Sequence, residues 1–366
     1  MTTRRDLLQA GALALTGASL GACTPVGDDY VQATVGIWRH APGLPDSLQG
    51  LMQELIRYAT LGPSTYNSQC WQFRATRDTI TILPDPARRS PATDPDDHHL
   101  YVSLGCAAEN IVQISGELGL ASTVQVGGDE QGAVTVHLEL GVAGRSRLAD
   151  AIPQRQTTRG LYNGKSVPSA DLARLERVSR APGVTPVIVS DVTQRKRLLD
   201  LAVAANRDWY ADPAKVAELK RWTRFDDASA LATRNGLAPR PAGRSSVPPM
   251  LGAALFNLLV AADRENDRLV TEVRSAAGLV AFISVGNAPP SWVETGRALQ
   301  RFALLATSLG IRHDWVNAPV DVAAHRPQLG MELGEPAGRP GALLRFGYGP
   351  ERPRSLRRPP LAKLEI

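Results

Sequence analysis

The sequence predicts an α+β fold in which two similar halves of one chain form a pseudo-dimer. Three observations lead there. One helical segment occurs twice, at 105–120 (GCAAENIVQISGELGL) and at 296–311 (GRALQRFALLATSLGI). A strand-like run precedes each copy, and another follows each copy in the same order.

Each helical copy opens on a Gly and closes on Leu-Gly-aliphatic at the same interval. Leu104, Ala108, Ile111, Ser115 and Leu118 step by fours and threes, and so do Leu299, Phe302, Ala306 and Leu309. That spacing puts one stripe on an α-helix, and the Gly after it suits a left-handed C-cap. Residues 79–83 and 280–285 read as the preceding strands. Residues 134–140 alternate as a half-buried strand should, and 343–348 hold the matching place in the second half. Elements repeated in order imply a pseudo-twofold axis, like a homodimer fused into one chain. The halves fall at 45–145 and 151–360. In the second, a helical run at 194–210 leads into 211–250, which has no counterpart in the first half. This stretch reads as an irregular, lid-like insertion. Its Trp222 and Phe225, at one-turn spacing, either stack on a planar substrate or pack the lid; helical spacing favours packing.

The N-terminus predicts export. Thr3-Arg4-Arg5-Asp6-Leu7-Leu8 is a twin-arginine pattern, followed at 11–20 by a weakly apolar stretch too short and too rich in Gly and Ala to span a bilayer. Leu20-Gly21-Ala22-Cys23 then reads as a lipoprotein cleavage box that makes Cys23 the lipidated N-terminus. Residues 1–23 are therefore expected to be a signal read by the twin-arginine translocase. The product would be periplasmic or at the cell surface, held by a lipid anchor and not by a membrane span.

After that signal the chain is long enough for one large domain or two coupled ones, and its 43% hydrophobic content supports a sizeable core. The formal charge is +5, of which five basic residues after Pro350 (Arg352, Arg354, Arg357, Arg358, Lys363) less Glu351 and Glu365 supply +3. This tail lacks interleaved aromatics, so a local anion fits it better than nucleic acid. Besides Cys23 there are only Cys70 and Cys106. A disulfide between them is open outside the cytoplasm, but no framework spacing supports one, and two separate core thiols are expected. His98-His99 follows Asp94, Asp96 and Asp97. Sequence neighbours do not face one another on a helix, so this reads as a polar loop and helix start, with no metal site.

Three segments carry candidate chemistry. The first, Pro63-Ser64-Thr65-Tyr66-Asn67-Ser68-Gln69-Cys70-Trp71-Gln72-Phe73, follows a helix containing Leu51, Leu55, Ile56 and Tyr58 and precedes a strand. Ser64, Asn67 and Gln69 can read the donor and acceptor edge of a planar heterocycle. The second, Arg155-Gln156-Thr157-Thr158-Arg159, sets two guanidinium forks four residues apart with hydroxyls between them, a pattern suited to a phosphate. The third is the tail from Arg354 to Arg358, which could close over the same anion.

These segments resemble a known family. The first is similar to the nitroreductase hallmark P-S-x-x-N-x-Q-P-W-x-F, and Arg155-Gln156-Thr157-Thr158-Arg159 to that family's R-x-S-x-R phosphate motif. Leu344-Arg345-Phe346-Gly347-Tyr348-Gly349 resembles its closing strand, and Arg357-Arg358-Pro359 the basic tail after it. The order differs from ordinary nitroreductases, where the arginine motif comes first and two chains build two flavin sites. Here it lies mid-chain, as in the Acg subgroup of FMN-binding homologues, where two halves mimic the dimer and one flavin site survives. The resemblance covers roughly 45–360.

It implies FMN as the cofactor, with Arg155, Thr157 and Arg159 on its phosphate, Arg357 or Arg358 assisting, and Ser64, Asn67 and Gln69 approaching the ring. Asn317, in the segment Trp315-Val316-Asn317-Ala318-Pro319, would lie by the reactive edge. Cys70 stands where the family has Pro, which leaves that loop's backbone less fixed. The implied activity is an FMN oxidoreductase reducing nitro, quinone or similar small-molecule acceptors, with no catalytic side-chain set of its own because the flavin carries the redox chemistry. An exported protein meets little free NAD(P)H, and no GxGxxG segment is present, though the family does not need one. The alternative is a non-catalytic protein that binds or sequesters FMN beneath the insertion. Either is expected to be a monomer.

Overall fold

The computed structural model describes residues 26–41, 43, 45–127, 132–360 and 362–365. The expected signal at 1–23, with Cys23, lies outside these. No described helix is long and apolar enough to cross a membrane.

Each half builds its own sheet. In the first, β1 (Trp71–Ala75), β2 (Thr79–Pro84), β3 (Leu120–Val126) and β4 (Val134–Leu140) pair antiparallel. In the second, β5 (Val184–Val189), β6 (Gly278–Ser284), β7 (Arg312–Trp315) and β8 (Arg339–Gly347) run in the order β5-β6-β8-β7. The C-terminal strand β9 (Ala362–Leu364) crosses back and adds parallel to β1, giving β3-β4-β2-β1-β9. All four strands predicted around the repeat are present. The shorter β5, β7 and β9 and the edge strand β3 are additional.

The repeated helices, His98–Glu117 and Pro289–Ser308, lie at the centre and pack on each other. Gly119 and Gly310 end them with φ of 73° and 72°, the left-handed conformation expected of the closing glycines. The first helix packs Leu104, Ala108 and Ile111 between β2 and β4 on one side and Leu55 and Ile56 of the helix Leu48–Thr60 on the other. The second packs Leu299, Phe302 and Ala306 on Val280, Phe282, Leu344 and Phe346. Phe302 meets Phe282 and Phe346 edge-on, with centroids 5.9 and 6.0 Å apart. The far face of this sheet is covered by Leu198, Leu201 and Ala202 of the helix Val192–Ala211, so β6 is buried throughout.

The helices cross at two glycines. A Cβ on Gly105 would collide with the Val293 carbonyl, and one on Gly296 with the Val102 carbonyl. Gly296 follows Gly105 by 191 residues, and Val293 follows Val102 by the same 191. The polar contacts obey that exchange. Gln300 donates to Asn110 Oδ1 at 2.6 Å, and Arg301 donates to Glu109 at 2.9 Å. Each of these contacts has its counterpart with the two helices exchanged.

The stretch 211–250 is not irregular. It folds as helices Pro213–Trp222, Asp227–Thr233 and Pro239–Ala242 and then enters Pro249–Leu259. Asp212 and Asp226 cap the first two, accepting from Ala214 and Ser229 backbone N–H. Trp222 is buried, and Phe225 packs edge-on against Phe256 at 6.1 Å, so the aromatic pair builds this subdomain. Cys70 and Cys106 are buried free thiols, and burial pushes the Cys70 thiol up to about 12.

Gly105→Ala or Gly296→Ala inserts a methyl between two backbones that have nowhere to retreat. Each variant should lose about 3 kcal/mol of stability in urea unfolding, the upper range for overpacking, whereas Gly116→Ala, which meets open space on the same helix, should not.

Candidate functional site

A cavity of about 260 Å³ opens between the halves. Its floor is the first central helix, which contributes His99, Val102, Ser103 and Cys106. The loop after the helix Leu48–Thr60 supplies Ser64, Tyr66 and Asn67; the crossing segment supplies Arg155, Gln156, Thr157 and Arg159. Trp315, Asn317 and Asp321 come from the second half, Arg354 and Arg357 from the tail. Trp38, Trp209 and the insertion residues Gly236, Leu237, Ala238 and Pro241 cover it.

The Ser64 loop is held in an unusual shape. Tyr66, Asn67 and Gln69 all have φ of 55°, a left-handed backbone that non-glycine residues adopt at a cost of order 1 kcal/mol or more each. Side-chain hydrogen bonds offset it. Ser64 Oγ accepts from Gln69 N at 2.9 Å. Asn67 Nδ2 donates to the carbonyls of Gly236 and Leu356, both at 3.2 Å, and its Oδ1 accepts from Arg357 at 2.7 Å. Gln69 Nε2 donates to Arg234 O at 2.8 Å, and its Oε1 accepts from Arg358 N at 2.8 Å. The loop expected to be loosened by Cys70 is thus bound to both insertion and tail.

This changes several sequence assignments. Ser64, Asn67, Arg155, Thr157, Arg159, Asn317 and Arg357 come together around one cavity. Gln69 and Arg358 do not line it. They face the tail behind the loop, where Arg358 donates to the carbonyls of Gln69 and Trp71 at 2.8 and 3.3 Å. Arg357 lines the cavity, but its guanidinium is engaged by Thr60 O, Gly62 O and Asn67. Trp222 and Phe225 are not lid contacts; Gly236–Pro241 and Trp209 hold that position.

Arg155 is the electrostatic anomaly. It is 3% exposed, donates from Nη2 to Leu61 O at 3.1 Å, and leaves Nε and Nη1 buried without a partner. Burial pushes its pKa down to about 10. Burial, reinforced by Arg155, pushes Arg357 down to about 9. His313, joined through its carbonyl to Thr158 N at 2.9 Å, is pushed down to about 3 by burial, then by Arg155 and Arg312. Among the described lining residues Asp321 is the sole carboxylate, and none of these effects on Arg155 comes from it. A desolvated cation with two unused donors, beside Thr157 and a second guanidinium, is a site for an oxyanion.

A second polar group lines the same cavity, unforeseen in the sequence. His99 Nε2 lies 2.8 Å from Asp321 Oδ1, which also accepts from Asn317 Nδ2 at 2.7 Å. Asn317 Oδ1 accepts from Leu343 N at 3.0 Å, which fixes the amide's orientation. Tyr66 and Thr93 hydroxyls pair at 2.7 Å. His98 and His99 do begin the helix, as expected, but as buried residues and not a polar surface. The only advance signal was Asp321 falling four residues after Asn317.

No family model matches the chain. Two Mycobacterium tuberculosis proteins, from strains CDC 1551 and H37Rv, carry the provisional name NAD(P)H nitroreductase; each is 25% identical over 305 residues, 82% of this chain and 85% of theirs. Among solved structures, an FMN-bound nitroreductase of Bacteroides fragilis (18% identity, TM-score 0.34) covers 56% of this chain and 90% of its own. The FMN-dependent nitroreductase NfnB of Mycobacterium smegmatis, in complex with NADPH, overlaps to a similar extent (16% identity, TM-score 0.35, 56% and 87%).

The buried histidine gives a pH dependence. His313 is neutral when folded down to about pH 3, whereas an unfolded histidine takes up a proton near 6.5. Its contribution is present above pH 6.5 and is lost as pH falls toward 3. Between pH 6 and 4 the unfolding free energy should drop by about 1.4 kcal/mol per pH unit from this one proton. His313→Gln should reduce the slope by that amount in urea titrations.

Proposed function

We propose that this nitroreductase-like chain is an oxidoreductase that holds one FMN in the cavity between its halves and reduces small planar acceptors such as nitro compounds or quinones. The observation that carries this is Arg155, buried with Nε and Nη1 unpartnered beside Thr157 and Arg159. A flavin phosphate fits that donor set, because charge-assisted bonds to a dianion would offset the desolvation of the guanidinium.

When bound, FMN supplies the hydride and electron transfer. The chain's residues do the rest. Arg155, Thr157 and Arg159 hold the phosphate, while Arg357, already engaged by carbonyls, contributes charge. Asn67 and Ser64 set the wall of the site, and Asn67 fastens the insertion over it through Gly236. Trp38, Trp209 and Trp315 give apolar walls that exclude water and accept a planar ring. The twofold exchange of helix contacts supports reading the halves as a fused dimer of the Acg kind, a monomer with one site. The N-terminal pattern supports export by the twin-arginine route and a lipid anchor at Cys23, with FMN loaded before export.

The covering residues 236–241 favour one rival, a protein that sequesters FMN without turnover. Anaerobic photoreduction separates the two. Reduced holoprotein should be reoxidised by a nitroaromatic or quinone faster than free FMN is; reoxidation no faster supports sequestration. Arg155→Met should purify with less than a tenth of the wild-type flavin, read from the visible spectrum, without loss of thermal stability in the flavin-free protein. Retention of full flavin by this variant contradicts the phosphate assignment.

A further inference from the structure

Resting on that flavin reading, we infer that His99, held by Asp321, is the proton donor to an oxygen of the acceptor, a quinone carbonyl being the simplest case. His99 lines the cavity, and it sits between two carboxylates. Asp94 caps the helix that carries it, accepting from His99 N at 3.0 Å and Leu100 N at 2.9 Å. Asp321 faces the ring at 2.8 Å. Asn317 spends its carbonyl on Leu343 and donates from Nδ2 to Asp321 Oδ1 at 2.7 Å, with His99 Nε2 3.1 Å from the same amide nitrogen. An ionised Asp321 can only accept, so the proton in the 2.8 Å contact is the one on His99 Nε2.

The surrounding charges agree. Burial alone would discharge the imidazole, and Arg326 opposes its charge. Asp321 and Asp94 outweigh both and raise its pKa above the ordinary value. Its neighbour His98 goes the other way, held neutral by burial and by His99, Arg339 and Arg326. Of two adjacent histidines, the one that lines the cavity is therefore the one that holds its second proton more tightly.

Reduction of a covered quinone needs this. FMN, bound and reduced, would supply the acceptor with a hydride, that is, two electrons and one proton. The carbonyl π bond would break, and the second oxygen–hydrogen bond would form with the proton on His99 Nδ1, the ring nitrogen that Asp321 does not hold. Quinone, hydride and proton give hydroquinone, and His99 is left neutral until solvent reprotonates it. A metal would be the competing use of this cluster, since Asp94, His98 and His99 each place a ligand atom within 4.8 Å of the others. However, both Asp94 oxygens already accept backbone N–H bonds, and His99 Nε2 is directed at Asp321.

The test uses full-length holoprotein with His99→Gln and Asp321→Asn. NMR of the histidine ring carbons should show His99 titrating above pH 6.5 in the wild type and moving down in Asp321→Asn. Photoreduced His99→Gln should keep its flavin and reoxidise with benzoquinone about a hundredfold more slowly, the scale of general-acid catalysis. It should react with ferricyanide, which takes an electron and no proton, at the wild-type rate. A His99 that titrates below 6.5, equal slowing with both oxidants, or a stoichiometric divalent metal recovered with the protein overturns the inference. A protein that stays colourless with added FMN overturns the flavin reading instead, and the His99 titration is still read.

Discussion

Two backbone carbonyls, those of Val102 and Val293, lie where a Cβ would stand on Gly296 and Gly105. This close crossing sets the distance between the central helices and hence between the sheets that flank them. It also fixes the cavity. Val102 and Cys106 are at once crossing residues and cavity lining, and Cys106 Sγ donates to Gly296 O at 3.1 Å. One turn toward the helix N-terminus is His99, whose partners Asn317 and Asp321 belong to the other half.

The cavity gathers charge of two kinds. Arg155, Arg159, Arg354 and Arg357 form a cationic cluster with donors to spare at Arg155, while His99 and Asp321 form a compensated pair. The first is unfavourable by itself and is relieved by an anion; the second needs nothing further to be stable. Parts remote in sequence hold the arrangement closed. Trp38 Nε1 donates to Ser355 O at 2.8 Å, and Gln156 exchanges two hydrogen bonds with the Arg352 backbone. The tail ends as β9 on the first sheet, so the second half is stitched back across the site.

Much of this was legible in the sequence because it is local or periodic. The 3.6-residue stripe of Leu104, Ala108 and Ile111, repeated at Leu299, Phe302 and Ala306, found both central helices, and Gly119 and Gly310 their ends. Two guanidiniums bracketing hydroxyls picked out Arg155 to Arg159, which the fold brings to the cavity. Other features depend on non-local geometry. Gln69 points to the tail because three non-glycine residues take a left-handed backbone, which no glycine announces. Trp222 and Phe225, expected either to stack on a substrate or to pack the lid, pack within the insertion and do not line the cavity; the insertion's helical character was missed although Asp212-Pro213 and Asp226 are ordinary N-cap signals. His99 and Asp321 are 222 residues apart and meet only in the folded chain.

The flavin assignment depends on a phosphate meeting the unpartnered Nε and Nη1 of Arg155. Isothermal titration of the flavin-free protein with FMN and with riboflavin, which share the ring and differ in that group, isolates it. Two charge-assisted hydrogen bonds worth about 1.5 kcal/mol each predict FMN binding about a hundredfold tighter than riboflavin, at one site per chain. Equal affinity for the two, or two equivalent FMN sites per chain, would contradict it.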